Sequence, residues 1–394
     1  MENEQDFSRR IFLAAAGTGL LASAVKSIGA TPIAPPDKQP AFLKLPGDSP
    51  KPIGWALVGL GQLCLEEVLP AFAECAKSKP AALVSGHPEK ARTVAKHYGI
   101  PESSIYDYDN IEKIKDNAAV DVVYIILPNS MHAEYTIKAL QAGKHVMCEK
   151  PMAATTQECR RMIEAANNAG KQLAVAYRLH HEPYNLSVTE MCAKRAYGPI
   201  KLIEAANNQV TRAPNIRLSR DLAGGALMDV GIYCINAGRY ITGEEPDEVQ
   251  AFSYRPKDNP NFAEVDESVA FTMKYPSGVM ANCLCSLNSK ESRHYRVHCE
   301  RGYIDLENAF AYKGQRLNVG EAESLSELKL SPVNHFAAEM DKFSACILEN
   351  KPTTTPGEMG LRDMVIIEAL NQSLADRRPV RVVSDPMRSR TGTL

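Results

Sequence analysis

The sequence predicts a two-domain α/β protein, with a doubly wound parallel sheet followed by an α+β domain built on an open, mostly antiparallel sheet. Three observations support this fold class. Short apolar strands alternate with amphipathic helices over residues 53–176, which is typical of a parallel sheet covered on both faces. A glycine turn, Gly59-Leu60-Gly61, follows the first strand. Longer strand-like runs fill residues 177–394, and Pro276-Ser277-Gly278 forms a hairpin turn between two of them.

The elements follow from apolar periodicity. In the first domain, the predicted strands are Trp55–Val58, Ala81–Val84, Val122–Leu127, His145–Cys148 and Leu173–Ala176, and helices begin near Leu65, Pro88, Ala133 and Thr156. In the second domain, strands are predicted at Ile200–Ala206, Glu248–Tyr254, Ser268–Tyr275, Val279–Leu287 and Tyr295–Cys299, with helices at Phe336–Leu348 and Gly357–Ala375.

Residues 1–30 read as an export signal. The run Ser8-Arg9-Arg10-Ile11-Phe12-Leu13 opens an apolar segment that ends at Val25, too short to span a bilayer. It predicts a twin-arginine signal, which the translocation machinery uses to export folded proteins to the periplasm. Residues 31–52 contain seven prolines and are predicted to form either a disordered linker or an extended arm lying on this subunit or a neighbouring one.

Composition excludes several classes of protein. The 394 residues carry a net charge of −2, and no basic cluster is interleaved with aromatic residues, so nucleic acid is excluded as a partner. The ten cysteines include no C-x-x-C spacing. Because folding before export takes place in a reducing compartment, we expect free, mostly buried thiols and no metal site.

The turn after the first strand has the residues of a dinucleotide-binding loop. Its first two glycines allow the backbone to approach a pyrophosphate at a helix N-terminus, and Cys64 stands where the third glycine would be. The residues predicted to contact the cofactor here are Gly59, Leu60, Gly61, Gln62 and Leu63.

The end of the second strand favours NADP over NAD. An NAD enzyme usually has an acidic residue there for the ribose hydroxyls, whereas this chain has Ser85-Gly86-His87-Pro88-Glu89-Lys90. A 2′-phosphate could bind to Ser85, Gly86 and Lys90. The alternative is that Lys90 is simply a solvent-exposed residue at the start of a helix.

Two further motifs follow the third and fourth strands, at the edge where open sheets bind ligands. The first motif contributes Leu127, Pro128, Asn129 and His132, and the second contributes Glu149 and Lys150. All six residues are predicted cofactor contacts. A lysine beside the nicotinamide could also donate a hydrogen bond to the reacting oxygen.

A carboxylate and a phenol lie four residues apart in Gly224-Gly225-Ala226-Leu227-Met228-Asp229-Val230-Gly231-Ile232-Tyr233. On a helix, Asp229 and Tyr233 share one face and could bind a sugar hydroxyl and exchange its proton. The spacing alone is common and by itself favours a structural role.

Together these motifs, with Tyr177-Arg178-x-His180, resemble the Gfo/Idh/MocA oxidoreductases, and most closely the periplasmic members that move hydride between two sugars. The resemblance implies a Rossmann domain, tightly bound NADP and sugar redox chemistry. It implies catalytic roles for Lys150, Asp229 and Tyr233, and cofactor contacts for Arg178, Arg217 and Tyr312. A homodimer or homotetramer is also expected.

The predicted activity is oxidation of an aldose at C1 to a lactone, with hydride returned to a second sugar. Tyr233 would remove the proton, Asp229 would orient the sugar and Lys150 would bind the reacting oxygen. The alternatives are a sugar dehydrogenase or reductase with diffusible NADP(H), an NAD-dependent glycosidase, or a non-catalytic sugar-binding protein.

Overall fold

The structure, a computed structural model, describes residues 52–321 and 324–383. They divide into two compact units, the first comprising residues up to Met152 with Arg160–Ala176 and Phe336–Gly357, and the second the remainder. The predicted signal peptide and nearly all of the predicted arm lie outside the described residues. In the part of the chain that is described, no helix is long and apolar enough to cross a membrane.

The first unit contains a six-stranded parallel sheet in the order β3-β2-β1-β4-β5-β6. The order reverses between β1 and β4, and this switch point is where doubly wound sheets bind nucleotides. The strands are β1 Ile53–Val58, β2 Ser78–Val84, β3 Ile105–Tyr106, β4 Val122–Ile125, β5 His145–Cys148 and β6 Leu173–Val175. The helices are α1 Leu69–Ala71, α2 Pro88–Tyr98, α3 His132–Gln141 and α4 Thr156–Ala169.

The core of this unit surrounds Trp55, whose ring makes edge contacts with Phe72, Tyr124 and Phe343. The indole Nε1 donates to the Ser344 hydroxyl at 3.2 Å, which satisfies a buried polar group. Phe343 and Ser344 lie on α7, His335–Leu348. Most of this helix therefore packs with the first unit, although the sequence division assigned all residues after 176 to the second domain.

The second unit contains a nine-stranded sheet in the order β14-β13-β12-β11-β7-β10-β9-β8-β15. Among these strands only β7 and β10 pair in parallel. The strands are β7 Ile200–Val210, β8 Glu248–Tyr254, β9 Ser268–Lys274, β10 Met280–Ser286, β11 Asn288–Cys299, β12 Gly302–Glu307, β13 Arg316–Glu321, β14 Ser324–Leu328 and β15 Val380–Arg381. The fold class predicted from the sequence, a parallel sheet followed by a mostly antiparallel one, is confirmed.

Buried and more accessible positions alternate along β9 and β10, and this unit also contains α5 Pro183–Ala193, α6 Ile232–Thr242 and α8 Gly357–Asp376. Helix α6 approaches the sheet so closely that a Cβ at Gly238 would lie 2.3 Å from the Tyr275 hydroxyl oxygen. A buried network fixes α6 to α8: Arg239 donates to Asp363 at 2.5 Å and to both oxygens of Glu245 at 2.6 Å. Pairing of this kind offsets the cost of burying the charges.

The predicted free thiols are confirmed. All ten cysteines are free, and nine of them are buried. Cys283 and Cys285 share the inner face of β10, where buried and exposed positions alternate, as expected for a strand with one solvated face.

Local structure differs from the sequence expectation at several points. The first helix does not start as a regular α-helix at Leu65; a π-helical turn at Cys64–Val68 precedes α1, and a 3₁₀ turn at Phe72–Glu74 follows it. Strands β3 and β12 to β15 and helix α5 were not predicted. β3 and β15 are two residues long, too short to show a period.

Candidate active site

The glycine turn lies directly after β1, at the switch point of the first sheet. Gly59 has φ +99°, and a Cβ there would lie 2.3 Å from the Ile126 carbonyl oxygen, so only glycine fits. A Cβ at the exposed Gly61 would meet nothing within 4 Å, and Leu65 N–H donates to the Gly61 carbonyl at 3.0 Å. The open backbone at Gly61, Gln62 and the start of the helical turn fits a pyrophosphate.

Cys64, at the third glycine position, is fully buried, and burial raises the pKa of its thiol. The thiol therefore packs between strand and helix, where the third glycine of such a loop serves close packing.

Lys90, at the start of α2, contacts the glycine turn. Its Nζ donates to the Leu60 carbonyl at 3.1 Å, and partial burial lowers the pKa of its ammonium group. Ser85 is buried, and its hydroxyl accepts from His87 N–H at 3.1 Å, so it caps the turn. Gly86 is exposed. The cation that could meet a 2′-phosphate here is Lys90.

His132, a predicted cofactor contact, lies inside the protein. The ring is fully buried, with Nδ1 2.8 Å from the Pro151 carbonyl oxygen and Nε2 2.9 Å from that of Leu127. Burial lowers the pKa of the imidazole. Both ring nitrogens thus face backbone oxygens, and His132 links the loop after β4 to the loop after β5. Its contact with a cofactor stays a prediction. Leu127 and Pro128 are also buried, while Asn129 is partly accessible.

Glu149 is likewise held within the protein. One carboxylate oxygen accepts from the Tyr124 hydroxyl at 2.8 Å, and the other accepts from the backbone N–H of Lys150 at 3.2 Å. The carboxylate is buried and fixes the backbone at Lys150. Lys150 follows β5 at the carboxyl edge of the sheet and is partly accessible.

In the second unit, Asp229 and Arg217 form an ion pair. Asp229 lies on a π-helical turn, Leu227–Gly231, that leads into α6. Its Oδ2 accepts from Arg217 Nε at 2.6 Å and from Gln209 Nε2 at 3.1 Å. The Asp229 charge raises the pKa of Arg217, with smaller contributions from Tyr312 and Tyr233. Asp229, Arg217, Tyr233 and Tyr312 therefore form one cluster in which the other three side chains affect the pKa of Arg217. The predicted pairing of Asp229 and Tyr233 on one helix face requires such proximity.

Arg178 is buried and contacts two tyrosines of this cluster. Its guanidinium is buried and donates to the carbonyls of Phe310 at 2.6 Å and Ala311 at 3.2 Å. It also lies over the rings of Tyr312, 4.6 Å away, and Tyr233, 5.5 Å away. Its described donors are directed to groups of the protein, and its contact with a cofactor stays a prediction. Tyr312 itself is 42% exposed.

Three residues that contact this group of side chains were not predicted from the sequence. Gln209 orients Asp229, the Phe310 ring packs on the Tyr233 ring at 5.7 Å, and His335 Nδ1 accepts from Arg178 at 2.9 Å. Each comes from an element distant in sequence, and none stands in a recognisable motif.

Chemically, the cluster combines a carboxylate with a phenol. Hydrogen bonds and an ion pair to Asp229 favour its ionised form, which can accept hydrogen bonds from a polyol. Tyr233 can exchange a proton. Arg217 balances the charge of Asp229, so the pair suits an uncharged ligand.

Comparisons with known proteins identify the family of the chain. Residues 53–177 match the oxidoreductase family model with an NAD-binding Rossmann fold, and residues 186–305 match the GFO/IDH/MocA C-terminal domain. The structure of an aldose–aldose oxidoreductase from Caulobacter crescentus is 38% identical, covers 84% of this chain and 100% of its own, and superposes with a TM-score of 0.82.

Curated relatives of similar length were also found. The NADP-dependent D-xylose 1-dehydrogenase of Haloarcula marismortui is 29% identical over 84% of this chain and 93% of its own length. The 1,5-anhydro-D-fructose reductase of Ensifer adhaerens is 26% identical over 78% and 92%. The chain therefore belongs to the Gfo/Idh/MocA oxidoreductase family.

Proposed function

We propose that this protein is an NADP-dependent sugar oxidoreductase that oxidises an aldose at C1 to a lactone and reduces a second sugar with the same bound cofactor, as in glucose–fructose oxidoreductase chemistry. The observation that carries the proposal is the cluster of Asp229, Arg217 and Tyr233, a charge-balanced site with a phenol. Relatives named as an aldose–aldose oxidoreductase and as NADP-dependent xylose dehydrogenases support the sugar chemistry.

Each residue has a distinct task in this proposal. NADP, when bound at the glycine turn, supplies the hydride acceptor. Asp229 accepts hydrogen bonds from sugar hydroxyls and orients the ring, and Tyr233 takes the C1 hydroxyl proton as general base. Lys150 donates a hydrogen bond to the reacting oxygen. In the reduction of the second sugar, Tyr233 returns the proton.

Retention of the cofactor follows from the proposed export. A twin-arginine signal is used by proteins that fold before crossing the membrane. Free NADP is not regenerated in the periplasm, so an enzyme working there needs a cofactor that is reduced and reoxidised in place. The export and the tight binding are therefore proposed together.

A second candidate is a dehydrogenase with diffusible NADP(H), which the names of the xylose dehydrogenases favour. Kinetics separates the two. A captive cofactor requires the lactone to leave before the second sugar is reduced, which gives ping-pong behaviour with parallel double-reciprocal lines. Intersecting lines, or activity only with added NADP(H), would favour the second candidate.

Tyr233→Phe tests the assigned chemistry. It removes the proton carrier and keeps the ring, so both half-reactions should slow by roughly 10²–10⁴ while bound NADP stays in place. Tyr303→Phe, on β12, is the matched control and should retain activity. Full activity of the Tyr233→Phe enzyme would refute the role of the phenol.

We also propose a homo-oligomer that uses the open face of the second sheet. Phe252, Tyr254, Met280 and Leu284 are all more than 40% exposed, and apolar patches of this kind mark interfaces. Leu284→Arg should reduce the molar mass measured by light scattering. An unchanged mass would argue against this face as the interface.

A further inference from the structure

His87 lies between β2 and α2, in the turn that also provides Ser85 and Lys90. Its backbone N–H donates to the Ser85 hydroxyl at 3.1 Å, which fixes the backbone of the turn. His87 is the N-cap residue of α2, yet its side chain makes no capping hydrogen bond, and the ring is partly accessible. Among the described residues, no hydrogen bond or ion pair engages the imidazole. The ring can therefore meet a ligand at this turn.

A second basic group, Lys90, lies three residues further along, at a spacing that places two side chains on one face of a helix. Its Nζ donates to the Leu60 carbonyl at 3.1 Å, so the cation lies between this turn and the glycine turn. The pKa of the His87 imidazole is lowered, first by burial and second by the charge of Lys90. The two side chains are therefore close enough to interact, and the lysine charge opposes protonation of the histidine.

The neighbouring titratable groups do not offset this lysine charge. Glu89, on the same helix start, is exposed and forms an ion pair with Arg92. Cys64, from the π-helical turn after β1, is a thiol whose pKa is raised by burial. Burial also raises the pKa of Tyr108, whose hydroxyl hydrogen-bonds to the Gly86 backbone. The thiol and the phenol are therefore uncharged near pH 7, and this turn offers an anion one ammonium group and one imidazole.

We propose that His87 is a second ligand of the NADP 2′-phosphate and makes the choice of NADP over NAD depend on pH: its imidazole is neutral before the phosphate binds and takes up a proton from solvent on binding. The proposal rests on the use of NADP in the proposed function. A phosphate dianion offsets the repulsion from Lys90, and an opposite charge within about 4–6 Å raises the pKa of a base by roughly one to three units. NAD carries an uncharged hydroxyl at the same position and gives His87 no such partner. Because the NADP complex then holds the additional proton, its affinity should rise as pH falls between the pKa of the bound imidazole and that of the free one.

Adenosine 2′,5′-bisphosphate and 5′-AMP differ only in the 2′-phosphate, and calorimetric titration of each into nucleotide-free protein tests the proposal. Repeating the titrations in buffers of different ionisation enthalpy gives the number of protons taken up. His87→Gln keeps an N–H donor but cannot be protonated, and His87→Lys restores a permanent charge. His97→Gln, the same substitution in the last turn of α2, is the matched control. The bisphosphate's own ionisation, with a pKa near 6, is common to all four proteins, so the difference between wild type and His87→Gln isolates the imidazole.

At pH 6.5 the wild type and the His97→Gln control should take up about half a proton or more per site beyond His87→Gln when the bisphosphate binds, and no excess when 5′-AMP binds. The preference for the bisphosphate should fall roughly tenfold in His87→Gln at pH 6 and by less than about threefold at pH 8.5. His87→Lys should keep the preference without this pH dependence.

Two results would overturn the role of His87 alone. One is a wild type that prefers the bisphosphate but takes up no more protons than His87→Gln. The other is an equal loss of affinity for both nucleotides in His87→Gln, which would place the ring against the shared adenosine. A wild type that does not distinguish the two nucleotides would refute the selection of NADP itself, and the role of His87 with it. Because binding needs no turnover, a protein that prefers the bisphosphate but oxidises no sugar would refute the proposed sugar chemistry and leave this test intact.

Discussion

Lys90→Met offers a direct test of cofactor selection. Lys90 Nζ contacts the Leu60 carbonyl at 3.1 Å, which places the ammonium at the glycine turn, and methionine keeps much of the aliphatic stem while removing the charge. Only NADP has a 2′-phosphate for this cation. We therefore expect the variant to lose two separable contributions to nucleotide affinity. One contribution is shared by NAD and NADP, and the other is specific to NADP.

The two losses differ in size. Removing the hydrogen bond to Leu60 loosens the turn for NAD and NADP alike and should cost about 1 kcal/mol, or roughly fivefold in Kd. The hydrogen bond to the phosphate is charge-assisted and contributes about 1.5–3 kcal/mol. The preference for NADP over NAD should therefore fall by roughly 10- to 100-fold.

Isothermal titration calorimetry of both nucleotides into nucleotide-free protein measures the two constants. Lys96→Met, on the exposed side of the same helix, is the matched control and should leave both unchanged. Equal losses of NAD and NADP affinity in the Lys90 variant would show that Lys90 supports the turn without contacting the 2′-phosphate.

Three further predictions follow. Gly59→Ala should impair folding, because its Cβ would lie 2.3 Å from a carbonyl oxygen. Gly61→Ala should fold with a normal Tm and bind nucleotide weakly, because its Cβ would have nothing within 4 Å. Equal behaviour of the two variants would contradict the assigned geometry. Burial lowers the pKa of His335 to about 3, so the unfolded ring, with a pKa near 6.5, takes up a proton first as pH falls. Protonation of the unfolded ring therefore lowers the free energy of unfolding as pH falls from about 6.5 to about 3. Because His335→Asn removes this effect, the free energy of unfolding of the variant should fall by about 1–2 kcal/mol less than that of wild type between pH 7 and pH 5. Denaturant titration at the two pH values would detect or exclude this difference. Replacing Arg9 and Arg10 by lysine should leave folded precursor in the cytoplasm, and periplasmic delivery of that variant would remove the argument for a captive cofactor.

Much of the fold could be read from local sequence. The strand prediction His145–Cys148 agrees with β5, and Glu248–Tyr254 agrees with β8, because apolar runs and alternation are encoded within each segment. The glycine turn was placed correctly after β1 for the same reason. What local patterns cannot give is the partner of a segment distant in sequence. Helix α7 packs around Trp55 through Phe343 and Ser344, a contact that no periodicity near residue 340 indicates.

The structure brings some of the predicted site residues together. Asp229 and Tyr233 do share a neighbourhood with Arg217. His132, Glu149 and Arg178 were read as cofactor contacts because polar residues at strand ends often bind ligands. In the structure they are buried and bonded to the protein itself, and burial of this kind depends on the assembled loops.

The central claim is that one bound nucleotide serves both sugars, and stopped-flow absorbance of the purified enzyme tests it most directly. Mixing with an aldose and no added nucleotide should give a rise in reduced-nicotinamide absorbance with an amplitude of one equivalent per chain. A second sugar should then reverse that rise, and the cycle should repeat. No absorbance change until free NADP is supplied would contradict the account and assign the protein to the dehydrogenases with a diffusible cofactor.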